Sequence, residues 1–110
     1  MERFVKGDVV TFPFPFSDLS ASKKRPALIL AVLEGNDLIL CQITSEARHD
    51  KYAIELKETD FKKGRLNVLS MIRPNRLFTA EKSIINYKIG ALKDNKLKEV
   101  AERLIKIFRE

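Results

Sequence analysis

This 110-residue chain has one cysteine and one histidine. Cys41 alone cannot close an internal disulfide, and Cys41 with His49 cannot supply a Cys/His zinc cage. One histidine also excludes a two-histidine nuclease. Long hydrophobic runs are missing. The longest, Ala27 to Leu33, covers seven residues, against roughly 18 or more for a membrane helix. The start, Met1-Glu2-Arg3-Phe4-Val5-Lys6, lacks the basic-then-apolar layout of a secretory signal. A cytoplasmic protein without membrane association is therefore expected. There is no Walker-type phosphate loop and no dinucleotide fingerprint. The acids are scattered, whereas a two-metal nuclease needs them clustered. No metal and no cofactor is expected. Four Gly and four Pro argue against a disordered or fibrous chain.

What is present suits one compact core. Hydrophobic residues make up 45%, and the length fits a single domain over residues 1–110. The formal charge is +6, from 21 Lys/Arg against 15 Asp/Glu, which favours an anionic partner such as nucleic acid. The charge is unevenly spread. Phe61 to Ala80 carries Lys62, Lys63, Arg65, Arg73 and Arg76 and no acid. Lys23-Lys24-Arg25 is a second basic block, and Glu46 to Asp60 is acidic on balance.

Strand patterns fill the first two thirds. Val10, Phe12, Phe14 and Phe16 alternate with Thr11, Pro13 and Pro15. Proline cannot donate to a ladder, so Gly7 to Phe12 is the expected paired strand and the rest runs extended along an edge. Ser17 to Lys24 has the polarity of a loop. Ala27 to Leu33 fits a strand buried on both faces, Gly35-Asn36-Asp37 a tight turn, and Leu38 to Ile43 the second arm of that hairpin. Tyr52 to Leu56 is a short alternating strand, Phe61 to Gly64 a turn, and Leu66 to Ile72 a strand broken by Pro74-Asn75. Leu77 to Thr79 is a short extended piece, and Tyr87 to Ala91 is ambiguous. The period then changes. Leu97, Val100, Ala101, Leu104, Ile107 and Phe108 share one helical face, Asp94 or Asn95 can cap it, and Glu99 and Glu102 precede Arg103 and Lys106 by four residues. The expected class is mainly β with a C-terminal helix, as a small, strongly bent sheet or barrel.

Two local features carry chemistry. An arginine at Lys23-Lys24-Arg25-Pro26 can aim its planar fork at a phosphate while its stem packs inside. At Ile43-Thr44-Ser45 an apolar strand ends in two hydroxyls. Arg25 lies eleven residues before Asn36 and Thr44 eight after it, so a hairpin brings them together in approximate register. Lys23, Lys24, Arg73 and Arg76 are either phosphate-backbone contacts or a solvated face. Phe14 and Phe16 either stack on bases or pack in the core. Cys41, inside an apolar strand, is assigned to the core. His49 is either a surface residue or a proton shuttle.

Taken in order, Gly7-Asp8-Val9-Val10, Lys24-Arg25-Pro26-Ala27-Leu28-Ile29, Ile43-Thr44-Ser45, Ile72-Arg73 and Lys88-Ile89-Gly90-Ala91-Leu92 resemble the MazF/PemK/Kid toxins of toxin–antitoxin pairs, over about residues 5 to 108. The resemblance implies an SH3-like small barrel of the CcdB/MazF/Kid type and a homodimer. It implies a metal-independent endoribonuclease that cuts single-stranded RNA at short sequences and is neutralised by a cognate antitoxin. It assigns the catalytic roles to Arg25 and Thr44. Ser45, Lys23, Lys24, Ser70, Arg73 and Arg76 are the candidate substrate contacts beside them. Some relatives carry an acid where this chain has Ser70, so an acid–base scheme using that carboxylate is absent here. The same barrel also fits a CcdB-like gyrase poison or a non-catalytic SH3-like module that binds RNA or protein.

Overall fold

Apolar–polar alternation from Asp8 onward produces the first strand of a curled antiparallel sheet, and a helix closes the chain. The computed structural model describes residues 3–15, 22–46 and 50–110. The strands are β1 (Asp8–Pro15), β2 (Ser22–Val32), β3 (Asp37–Thr44), β4 (Ile54–Leu56), β5 (Phe61–Gly64), β6 (Ser70–Glu81) and β7 (Lys88–Leu92), followed by α1 (Asp94–Phe108). Their spatial order is β4-β6-β3-β2-β1-β7-β5. The sheet is a half-barrel, which agrees with the bent β architecture and C-terminal helix expected above. No helix among the described residues is long and apolar enough to cross a membrane.

The pleat sends alternate residues of β2 and β3 to opposite faces. Leu28, Cys41 and Ile43 join Val9, Ile72, Leu92 and the helix residue Val100 in one buried cluster. Ala27, Ile29, Leu38 and Leu40 join Val10, Ala80 and Ile85 in a second cluster on the other face, with Phe12 and Phe78 packed against it. These central strands are buried on both sides, which explains their continuous apolar runs. Further along, Val32 and Leu33 emerge into solvent.

Several local expectations change. Residues Ser22 to Lys24 form strand, not loop, because β1 and β2 stay paired to Pro15–Ser22. Pro13 and Pro15 are accepted inside that ladder. Thr11 N–H donates toward Tyr87 O at 2.9 Å, so residues of the same parity face the β7 side, where β7 ends its pairing at Val10–Lys88. The prolines therefore lack an N–H only where no strand waits for one. Phe61 to Gly64 is the edge strand β5, paired with β7, and its backbone meets Gly90 so closely that a Cβ on Gly64 would lie 2.2 Å from Ile89 O. The glycines permit that contact, and their turn-like composition concealed the strand. Residues 66–69 lie outside any strand. Strand β6 instead runs from Ser70 through Pro74, because Cys41 pairs with Leu77 while Gln42 pairs with Arg73. Pro74, Asn75 and Arg76 thus form a bulge that needs no ladder bond from the proline. Lys93, not Asp94 or Asn95, holds the helix N-cap position. Phe108 points to solvent.

The helix is tied down by Lys96 rather than by the expected four-residue pairs. Its ammonium lies 2.8 Å from Glu99 Oε1 and 3.4 Å from Asp60 Oδ2, and donates to Glu55 O at 3.2 Å. Burial alone would lower the Lys96 pKa, but the Glu99 and Asp60 carboxylates outweigh it and raise it. The Lys96 contribution is therefore complete below the ordinary lysine range and fades as pH rises through the raised folded value. Lys96→Met is expected to cost roughly 1 kcal/mol in urea unfolding at neutral pH, a deficit that shrinks toward strongly alkaline pH.

Candidate active site

Polar side chains collect at one end of the second apolar face. The β2–β3 ladder ends at Ala27–Gln42, and two residues further along each strand the pleat puts Arg25 on the Ala27 face of β2 and Thr44 on the Gln42 face of β3. The hairpin pivots at Gly35, as the Val32–Leu38 pair requires, and a bulge between Ile29 and Ala31 supplies the remaining offset. That removes the mismatch counted from Asn36. Arg25 thus sits within a strand, not at a loop junction. Phe12 of β1 is its partner on the other side.

Arg25 is half-buried, and among the described residues no carboxylate pairs with it. Thr44 is 8% exposed. Its Oγ1 accepts the Glu46 N–H at 3.1 Å, which leaves the hydroxyl proton free to donate. Ser45 is exposed just beyond the strand. Gln42 lies on the same face, two residues from Thr44. Across the next ladder stands Arg73, paired with Gln42.

Arg73 is held from two sides. Its Nε donates to Asp50 Oδ2 at 2.7 Å, and Nη1 donates to Gln42 Oε1 at 3.4 Å. The Asp50 and Arg73 side chains are only 5% and 21% exposed. Asp50 Oδ1 accepts the Tyr52 N–H at 2.9 Å. Burial alone would raise the Asp50 pKa. The Arg73 hydrogen bond, the Tyr52 N–H, the Arg73 charge and an Asn75 hydrogen bond outweigh it and hold the carboxyl below its usual range. Asp50 neutralises Arg73, whereas Arg25 has no carboxylate partner among the described residues.

Other sequence candidates go elsewhere. Ser70 is buried on the Ile72 face, and its hydroxyl donates to Val68 O at 3.0 Å, so it is turned away from Arg25. Lys24 alternates to the face opposite Arg25, where its ammonium lies 5.9 Å from the Tyr87 ring centre. Arg76 is exposed on the β6 bulge. Lys62 and Lys63 lie on edge strand β5, and Arg73 and Arg76 on β6, a strand that does not pair with it. Cys41 is buried, and desolvation pushes its thiol up to about 12, which suits a core residue and not a nucleophile. Phe16, His49 and the side chains of Phe14 and Lys23 lie outside the described residues.

Two site residues were not anticipated. Gln42 was visible as the one polar position in the apolar Leu38–Ile43 run. Asp50 left no signal, because a carboxylate in a polar stretch is ordinary and only the fold brings it to Arg73.

The fold has counterparts among known proteins. A family model described as PemK-like, MazF-like toxin of type II toxin–antitoxin systems matches residues 5–108. No curated protein matches in sequence. Among solved structures, a mycobacterial endoribonuclease in complex with its cognate antitoxin superposes with a TM-score of 0.76 at 12% identity, covering 96% of this chain and 95% of that one. MazE–MazF of Deinococcus radiodurans gives 0.73 at 18% identity, covering 94% of each chain. The Mycobacterium tuberculosis toxin MazF-mt6 gives 0.68 at 19%, covering 91% and 96%.

Proposed function

The chain belongs to the PemK-like, MazF-like toxin family of type II toxin–antitoxin systems, and on that premise we propose that it is an endoribonuclease cutting single-stranded RNA without a metal. The ribose 2′-oxygen attacks the adjacent phosphorus as the bond to the 5′-oxygen breaks. A proton leaves the 2′-hydroxyl and one reaches the departing 5′-oxygen. The products are a 2′,3′-cyclic phosphate and a 5′-hydroxyl. The nucleophile belongs to the substrate, so the protein's task is to stabilise charge gathering on the nonbridging oxygens.

Arg25 has the chemistry for that task, since its fork presents parallel N–H donors to two oxygens. Its lack of a carboxylate partner among the described residues leaves it free for phosphate. Thr44 donates its hydroxyl proton to the same oxygens, and Ser45 helps orient them. Arg73, Arg76 and Lys23 are assigned to the flanking backbone. Ser70 and Lys24 receive no part at the scissile phosphate, given the faces they occupy. The observation that carries this reading is the shared face of Arg25 and Thr44, set by the β2–β3 register.

A homodimer and a cognate antitoxin complete the proposal. The mycobacterial endoribonuclease with a similar fold is bound to its cognate antitoxin. Exposed Val68 and Leu69 before β6, with Ile105 and Phe108 on α1, offer apolar surface for protein partners. The test is incubation of the purified protein with mixed-sequence RNA in excess EDTA. Fragments with cyclic-phosphate ends are expected. Intact RNA at high protein concentration would overturn the reading, and gyrase inhibition in the same preparation would select the alternative toxin class.

A further inference from the structure

Beside Arg25 and Thr44 the sheet face dips into a shallow depression of about 460 Å³, lined by Phe12, Gln42, Arg76, Leu77, Phe78 and Thr79. Phe12 and Phe78 meet there with ring centres 4.9 Å apart, from strands that are not neighbours in the sheet. The curl brings them together. Among the described residues the lining offers aromatic surface, one amide, one guanidinium and one hydroxyl, and no carboxylate.

The orientation of the amide follows from its neighbour. Arginine has donors and no acceptor, so the Gln42 atom facing Arg73 Nη1 is its oxygen. Asp50 fixes Arg73 through Nε at 2.7 Å. The chain Asp50–Arg73–Gln42 therefore turns Oε1 toward Arg73 and leaves the Nε2 amino group as the end turned away from it. Arg76 on the rim is donor-only, while the Thr79 hydroxyl can donate or accept. A base with an exocyclic carbonyl, guanine O6 or uracil O4, matches such a site. The exocyclic amino group of adenine or cytosine would set donor against donor. Single-stranded RNA is commonly read by stacking on aromatic rings combined with hydrogen bonds to base edges.

We propose that this depression is a nucleobase site selective for keto bases, with Gln42 as its specificity-determining residue and Asp50 and Arg73 as positioning residues. The proposal rests on the single-stranded RNA reading and deepens it. It concerns the base next to the scissile phosphate, whereas Arg25 and Thr44 concern the phosphate itself.

The test separates base selection from cleavage. Short 2′-O-methyl RNAs, whose blocked 2′-oxygen cannot attack, are titrated against the full chain as oligo-U, alternating GU, oligo-C and alternating AC. The wild type is expected to bind the two keto sequences at least about tenfold more tightly, a preference within the range of one well-made base contact. Gln42→Glu should reverse the preference, because one carboxylate oxygen takes Arg73 and the other presents an acceptor. Gln42→Ala should level it. Circular dichroism and thermal unfolding check that both variants remain folded. Equal wild-type affinities, binding of none of the four, or a keto preference that survives in both folded variants would overturn the proposal. If keto preference appears but unblocked RNA stays intact, the nuclease reading fails and the base site stands. Cleavage without keto preference removes the base site and leaves the nuclease in place.

Discussion

Arg25→Ala is expected to lower kcat/KM for single-stranded RNA by about 10²–10³-fold, as loss of one preorganised donor to a developing oxyanion does. Most of the loss should fall on kcat, since the negative charge that Arg25 meets grows toward the transition state. Arg25→Lys should recover only part of the activity. An ammonium keeps the charge but cannot present two fixed N–H groups to two oxygens. Thr44→Val should cost less, about 10- to 100-fold, because a neutral hydroxyl makes the weaker hydrogen bond. It also removes the acceptor for the Glu46 N–H. The check is initial-rate cleavage in EDTA, with unfolding curves alongside. Arg25 is half-buried two residues beyond the β2–β3 ladder and belongs to neither apolar cluster, so its replacement should leave both intact. A folded Arg25→Ala protein that cuts at the wild-type rate would remove Arg25 from the mechanism.

The second large effect is on stability. Asp50→Ala is expected to destabilise the fold by roughly 2–3 kcal/mol, below the full penalty for a wholly buried pair because Arg73 retains some solvent. It strips the partner from a guanidinium that is mostly enclosed and leaves the Tyr52 N–H without its acceptor. Asp50→Asn should cost less, because the amide oxygen still accepts from Tyr52. The acid limb of stability carries the same signature. The Asp50 carboxyl has a folded pKa below its unfolded value, so its contribution is complete above the ordinary carboxylate range and is lost as pH falls through the depressed folded value. Urea unfolding from neutral pH into that acid range should show the wild type converging on Asp50→Asn. Parallel curves across the whole range would show that Asp50 contributes no charge-dependent stability.

Much of the architecture was legible in residue order, because burial imposes a period that composition cannot hide. The helix from Asp94 to Phe108 was expected from its 3.6-residue spacing, and the hairpin about Gly35 from apolar arms around a turn signal. The errors came where one side chain served two contexts. Pro74 looked like a strand break, but a bulge absorbs it and β6 continues. Lys-Lys-Gly after Phe61 looked like a turn, although an edge strand favours lysines and the Gly64–Gly90 approach requires glycine. Ser22 to Lys24 looked like a loop, since a strand end with an open side carries no apolar pattern.

By itself the sequence determined the class of the fold, its family and the two residues, Arg25 and Thr44, that carry the strongest chemical suggestion. Those properties reside in local pattern and short motifs. Only the tertiary structure decided which polar groups share a face. It put Arg25 and Thr44 on one face of their strands, turned Ser70 and Lys24 to the other, and drew Asp50 onto Arg73 from 23 residues upstream. The reason is geometric: in a pleated sheet a shift of one residue moves a side chain to the opposite face, and the bulges that set those shifts have no reliable mark in the linear chain.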